Sequence, residues 1–141
     1  MQLNPYLMYD GHCEEAFKFY AKALGGNIVA MLKYSDMPEE ARNSPECSGP
    51  DVQNKIMHAR LIIGDEVLMG SDAPAGRYEG AKGFSVSLNV PEPAAAERVF
   101  HALAEGGTTI MPIGETFWAR RFGMLTDRFG IPWMINCEKP H

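Results

Sequence analysis

At 141 residues the chain is long enough to bury a sizeable core within one domain. Its formal net charge of −5, with Lys and Arg scattered, excludes the basic stripe that a nucleic acid or an anionic membrane surface requires. Cys13, Cys47 and Cys137 are odd in number and include no CxxC pair, which excludes a disulfide framework and a cysteine zinc site and favours a reducing compartment.

The opening MQLNPYLMYDG has no basic region followed by an apolar run, and no stretch of the chain is apolar for long enough to span a bilayer. The expectation is a cytoplasmic protein. Residues 5–10 read as a short strand closed by Asp10-Gly11. In CEEAFKFYAKALGG, residues Cys13, Phe17, Tyr20 and Leu24 fall at helical spacing, Glu14 and Glu15 favour the N-terminal end, and Gly25-Gly26 stops the helix. Residues 27–34 form a strand rich in Ile, Val and Leu. Residues 37–54 are polar, with Pro38, Pro45, Gly49 and Pro50, and read as a long surface excursion of the kind that serves as a lid or a tolerated insertion. Residues 55–71 read as a hairpin turning at Gly64-Asp65. Another Gly- and Pro-containing loop covers residues 73–82.

The order then restarts. GFSVSLNV, residues 83–90, alternates as a strand. Pro91 and Pro93 announce a helix whose apolar face is Ala96, Val99, Phe100 and Leu103, and Gly106-Gly107 ends it. Residues 108–112, 116–125 and 131–137 supply three further strands, the last two joined by a turn at Asp127 to Gly130. Residues 3–72 and 83–138 are therefore two copies of one βαβββ unit. Each alone would leave a sheet face uncovered, and two together can curl into a cup fit for a small molecule.

PYLMYDG, EEAFKFYAKALGG, IMHARLIIGDEVLMGSD and ETFWARRFGMLTDRFGIPWMIN, set on this duplication, resemble the vicinal oxygen chelate superfamily and within it the PhnB-like branch, grouped with glyoxalase, bleomycin resistance and dioxygenase proteins. FWARRFGMLTDRFGIPWMIN is the most specific part. The resemblance implies an α+β fold: a cupped eight-stranded mixed sheet with helices outside, a homodimer, and in many members a divalent ion that polarises a substrate with neighbouring oxygens. Other members bind and sequester an antibiotic without it.

The ligand positions of metal-dependent members fall here at Pro5 or Tyr6, among Met69, Gly70 and Ser71, at Phe84 or Ser85, and at Met134 between Trp133 and Ile135. None is His, Glu or Asp. Hard and borderline divalent ions need carboxylate or imidazole donors, whereas thioethers suit softer metals, so the expectation is no metal and no cofactor. His12, His101 and the terminal His141 read as solvated, and His58 alone sits mid-strand.

Tyr6, Ser71, Trp118, Arg120 and Trp133 are the expected ligand-binding residues, aromatic walls with a few polar groups, and Arg120 or Arg121 offers a planar fork for a carboxylate or phosphate. His58, Asp72 and Glu115 are the candidate bases of a metal-independent proton transfer. Duller roles stand beside each: core or dimer contact for the tryptophans, backbone hydrogen bonding for Asp72, turn capping for Asp127. The expected partner is a small aromatic or anionic metabolite, with no nucleic acid and no membrane. Methyl transfer, a label carried by part of the branch, calls for a glycine-rich turn after a parallel strand, and the Gly pairs here follow helices.

Overall fold

In a computed structural model of the protein, which describes residues 1–42, 52–74 and 76–140, the chain divides into two compact units, Met1–Gly80 and Ala81–His141. Within the first, β1 (Tyr6–Tyr9), β2 (Asn27–Lys33), β3 (Ile56–Ile63) and β4 (Glu66–Asp72) form a sheet ordered β1-β4-β3-β2, with β1 parallel to β4 and the other pairs antiparallel. The second repeats this plan. Here β5 (Val86–Asn89), β6 (Thr108–Gly114), β7 (Ala119–Thr126) and β8 (Pro132–Glu138) are ordered β5-β8-β7-β6, with β5 parallel to β8. The α+β expectation of two βαβββ modules with mixed sheets holds.

Each module packs one long helix on its sheet, and the two helices do so with the same stripe. Helix α1 (Cys13–Leu24) buries Cys13, Ala16, Phe17 and Tyr20. A single turn, α2 (Glu39–Arg42), follows in the first unit, and α3 (Pro93–Ala104) in the second buries Ala96, Val99, Phe100 and Leu103. Both sets run i, i+3, i+4, i+7, the period of a helix lying on a sheet. Each fully buried phenylalanine contributes about 1.5–3 kcal/mol. Outside the stripe, the Lys18 ammonium bonds Glu14 at 2.6 Å and holds its carboxyl below the usual range. Gly25 and Gly106, at φ +73° and +75°, turn the chain out of α1 and α3 through the left-handed region that L side chains avoid.

The two phenylalanine rings need room, and a glycine in the sheet supplies it. A Cβ on Gly70 would stand 2.8 Å from the Phe17 ring, and one on Gly123 would stand 2.7 Å from the Phe100 ring. Gly70 lies on β4 opposite Ala59 of β3, whereas Gly123 lies on β7 opposite Ile135 of β8. The modules solve one packing problem on different strands of the same plan.

The elements depart from expectation at several ends. β5 begins at Val86 rather than at residue 83, and β8 begins at Pro132. The strand expected to reach residue 34 stops at Lys33, where the 3-10 turn Tyr34–Asp36 begins and the Asp36 carboxylate accepts the Lys33 N–H at 2.8 Å. Part of the expected surface excursion is thus ordered by α2 and anchored at its far end by buried Val52. Residues 43–51, including Cys47 and the rest of the possible lid, lie outside the described residues, as does His141.

The outer strands are irregular. The β2–β3 register shifts between Ile28 and Ala30 and again between Leu32 and Lys33. The β6–β7 register shifts between Thr109 and Met111 and between Met111 and Gly114, around Pro112. Among the described residues no helix is long and apolar enough to cross a membrane.

Candidate functional site

Alternation along each strand sorts the first sheet into two faces. Leu7, Tyr9, Ala59, Leu61, Leu68, Gly70 and Asp72 are buried on the face that carries α1. On the other, Tyr6 pairs with Met69 and Met69 with Arg60, Met8 pairs with Ser71, and His58 follows two residues before Arg60. Tyr6 and Met8 are 45% and 41% exposed, so this face is open to a ligand. The Tyr6 hydroxyl lies 3.4 Å from His58 Nδ1, and the two rings are 6.0 Å apart with a 31° tilt. Ser71 is buried, and its hydroxyl donates to the Met8 sulfur at 3.5 Å. Aromatic, thioether, imidazole and hydroxyl groups therefore share the face opposite α1.

The candidate bases separate. His58 stands on this open face. Asp72 lies on the covered one, buried, and its carboxylate accepts the N–H of Cys13, the first residue of α1, at 2.9 Å and that of Ile56, the first of β3, at 2.8 Å. Tyr34 donates to its main-chain oxygen at 2.8 Å. A carboxylate so placed caps a helix and a strand. Glu115 follows β6 in the second unit, exposed, 3.6 Å from Lys139.

In the second unit the covered face takes Trp133, Ile135, Cys137, Gly123 and Leu125, and the open face takes Ser87, Asn89, Met134, Asn136, Met124 and Phe122. Trp133, expected to line a ligand cup, is a core residue at 1% exposure, and its indole N–H donates to Asp127 Oδ2 at 2.8 Å. The physical reason is parity: Ile131, Trp133, Ile135 and Cys137 form one unbroken apolar set, and that set faces the helix. Asp127 caps its own turn as expected, its Oδ1 accepting Phe129 N at 2.8 Å and Ile131 N at 3.1 Å. Trp118 precedes β7, 46% exposed, and packs edge-on to Phe117 at 4.9 Å and Phe122 at 5.3 Å.

The two arginines part company. Arg121 turns to the helix side, where its Nε donates to Glu97 of α3 at 3.0 Å. Arg120 is held by backbone: Nε donates to Glu138 O at 2.9 Å and Nη2 to Pro91 O at 2.7 Å. Around it Asn89, Val90, Pro91 and Glu138 line an open groove of about 320 Å³. Asn136 donates to Asn89 Oδ1 at 3.0 Å, while the buried Asn136 Oδ1 has no hydrogen-bond partner among the described residues. Sequence reasoning missed the Asn89–Asn136 pair; the signal was there in Asn136, two residues beyond Met134 on the polar parity of β8.

The metal of the fold family does not fit these residues. Tyr6 and Met69 stand side by side on one sheet, and Ser87 and Met134 on the other. Phe84 and Ser85, where a third ligand was expected, precede β5. A phenol, a hydroxyl and two thioethers are a poor donor set for a hard or borderline divalent ion. Among the described residues no three His, Cys, Asp or Glu side chains come together. Cys13 offers no nucleophile either: burial first, then the nearby charges of Asp72 and Glu14, push its thiol far above the usual range.

Residues 2–135 match the model of the Glyoxalase/Bleomycin resistance protein/Dioxygenase superfamily. Protein YjdN of Escherichia coli strain K12 is 36% identical over 99% of this chain and 97% of its own. The crystal structure of protein PA1353 from Pseudomonas aeruginosa is 53% identical over 99% of both chains, with a TM-score of 0.87. The PhnB protein from Bacillus cereus, 24% identical over 97% of this chain and 99% of its own, shares the fold with a TM-score of 0.77.

Proposed function

The chain belongs to the Glyoxalase/Bleomycin resistance protein/Dioxygenase superfamily, and from that premise we propose that it is a PhnB-like protein that binds a small, partly aromatic metabolite without a metal. The ligand lies against the open face of the first sheet, in the homodimer that the resemblance implies. Tyr6, Met8 and Met69 form the apolar floor, and His58 and Ser71 supply the polar contacts. The observation that carries this reading is the Tyr6–His58 pair on the face opposite α1. Thioethers adapt to flat ligands of varied outline, and an aromatic pair contributes about 0.5–1.5 kcal/mol beyond the area it buries.

The test is a titration with 1-naphthol, read on the methyl resonances of the methionines. Met8 and Met69 are expected to shift together and saturate, and Tyr6→Ala to weaken the binding about tenfold, roughly 1.4 kcal/mol. Saturable binding that leaves the Met8 and Met69 methyls unmoved would count against the reading.

A second reading is favoured by one detail: of the three candidate bases, His58 alone has an open face beside it and a phenol hydroxyl within 3.4 Å. An isomerase- or lyase-type proton transfer would use its imidazole as base, oriented by Tyr6. Exchange of substrate hydrogen for solvent deuterium, lost in a folded His58→Ala variant, would establish it. Exchange surviving that substitution would remove His58 from the chemistry.

A further inference from the structure

We propose that the second unit carries a separate subsite for a small monocarboxylate, held by Arg120 and Asn89 in the groove at the C-terminal ends of β5 and β8. The inference goes beyond the preceding reading, since none of its residues belongs to the first sheet.

The space is an open groove of about 320 Å³, exposed to solvent at Asn89, Pro91 and Glu138, and at roughly 30 Å³ per water it has room for part of a ligand of about ten heavy atoms. Val90 and Pro91 give it an apolar wall. Its donors come from Arg120 and Asn89, and Glu138 adds a carboxylate. Arg120 has five N–H donors, and two backbone carbonyls from segments 18 and 29 residues away occupy Nε and one Nη2 hydrogen. Those bonds fix the guanidinium plane before any ligand arrives, so its ordering is not charged against binding. Both Nη1 hydrogens and one Nη2 hydrogen have no protein partner among the described residues, which leaves them to a carboxylate.

Asn89 adds a donor. Its Oδ1 is engaged by Asn136 Nδ2 at 3.0 Å, an amide orientation assigned from that bond, so its own Nδ2 is left without a protein partner among the described residues. Unused donors at one groove call for an acceptor ligand. Glu138 decides its charge. That carboxylate lines the same space, so a phosphate dianion meets more repulsion than a carboxylate monoanion does.

The probe is benzoate, with benzamide and inorganic phosphate as controls, titrated into the full chain and followed on the Arg120 Nε–H and Asn89 side-chain amide resonances. Benzoate is expected to bind saturably and to shift both, with benzamide and phosphate at least about tenfold weaker. Asn89→Asp, which keeps the acceptor for Asn136 and adds a negative charge, should weaken benzoate about tenfold. Glu138→Gln should tighten it about two- to fivefold, a gain that a misfolded variant does not produce. Tyr6→Ala should leave it unchanged. Equal binding of benzoate and benzamide, phosphate binding tighter than benzoate, or indifference to Asn89→Asp and Glu138→Gln would each overturn the subsite. Benzoate shifting the Met8 and Met69 methyls in place of Arg120 would also overturn it, while leaving the first-sheet reading standing.

Discussion

Asp72→Ala is expected to lower the unfolding free energy by about 3–5 kcal/mol, read as a drop in urea midpoint at unchanged slope. The side chain is buried and accepts two main-chain hydrogen bonds, from Cys13 at 2.9 Å and Ile56 at 2.8 Å. Alanine would leave both N–H groups buried and unsatisfied, at about 1–3 kcal/mol each, and would open a small void beside them. It would also remove a negative charge from the N-terminus of α1, where the helix dipole favours one. Asp72→Asn separates the contributions. It keeps the volume but offers one acceptor and turns an N–H toward a second donor, so a loss of about 2–3 kcal/mol is expected. A cost below about 1 kcal/mol for Asp72→Ala would show that the carboxylate is not what holds these two segment starts together.

The second unit has its counterpart in Asp127. Its carboxylate accepts three bonds, from Phe129 N, Ile131 N and the Trp133 indole, at 2.8, 3.1 and 2.8 Å. Asp127→Ala is therefore expected to cost about 3–5 kcal/mol, the turn and the buried indole losing their acceptor at once. A double-mutant cycle with Trp133→Phe isolates the indole bond. Coupling of about 1–2 kcal/mol is expected, because phenylalanine no longer needs the acceptor that Asp127 supplies. Additive costs would mean that the indole bond contributes nothing beyond packing. Trp133 emission adds a local readout, since loss of the turn brings water to the buried ring.

Local patterns announced most of the fold and little of the site. The α3 stripe, the Gly stops and the Gly64-Asp65 hairpin all follow from spacings within a dozen residues and appear where they were read, whereas the stripe read on α1 as Cys13, Phe17, Tyr20 and Leu24 buries Ala16 in place of Leu24. Asp72 could not be placed that way, since its partners lie 59 and 16 residues distant and only the folded sheet brings them together. Trp133 shows a different limit. Alternation divides β8 into two sets, but which set faces the helix depends on packing that no single strand records. Tyr6 and Ser71, expected among the ligand-binding residues, share one face of the first sheet, while Arg120 and Arg121, adjacent in sequence, take opposite sides across a register shift between Ala119 and Arg121.

The outer strands carry one more consequence. A regular, lengthy strand at the margin of a sheet invites a stranger's backbone to dock and so begins a fibril. Here β1 and β5 run only four residues, too short to seed such growth. β2 loses its rhythm twice, and β6 does so around a proline that has no hydrogen to lend. Smoothing β6 with Pro112→Val would straighten that margin and is expected to raise aggregation.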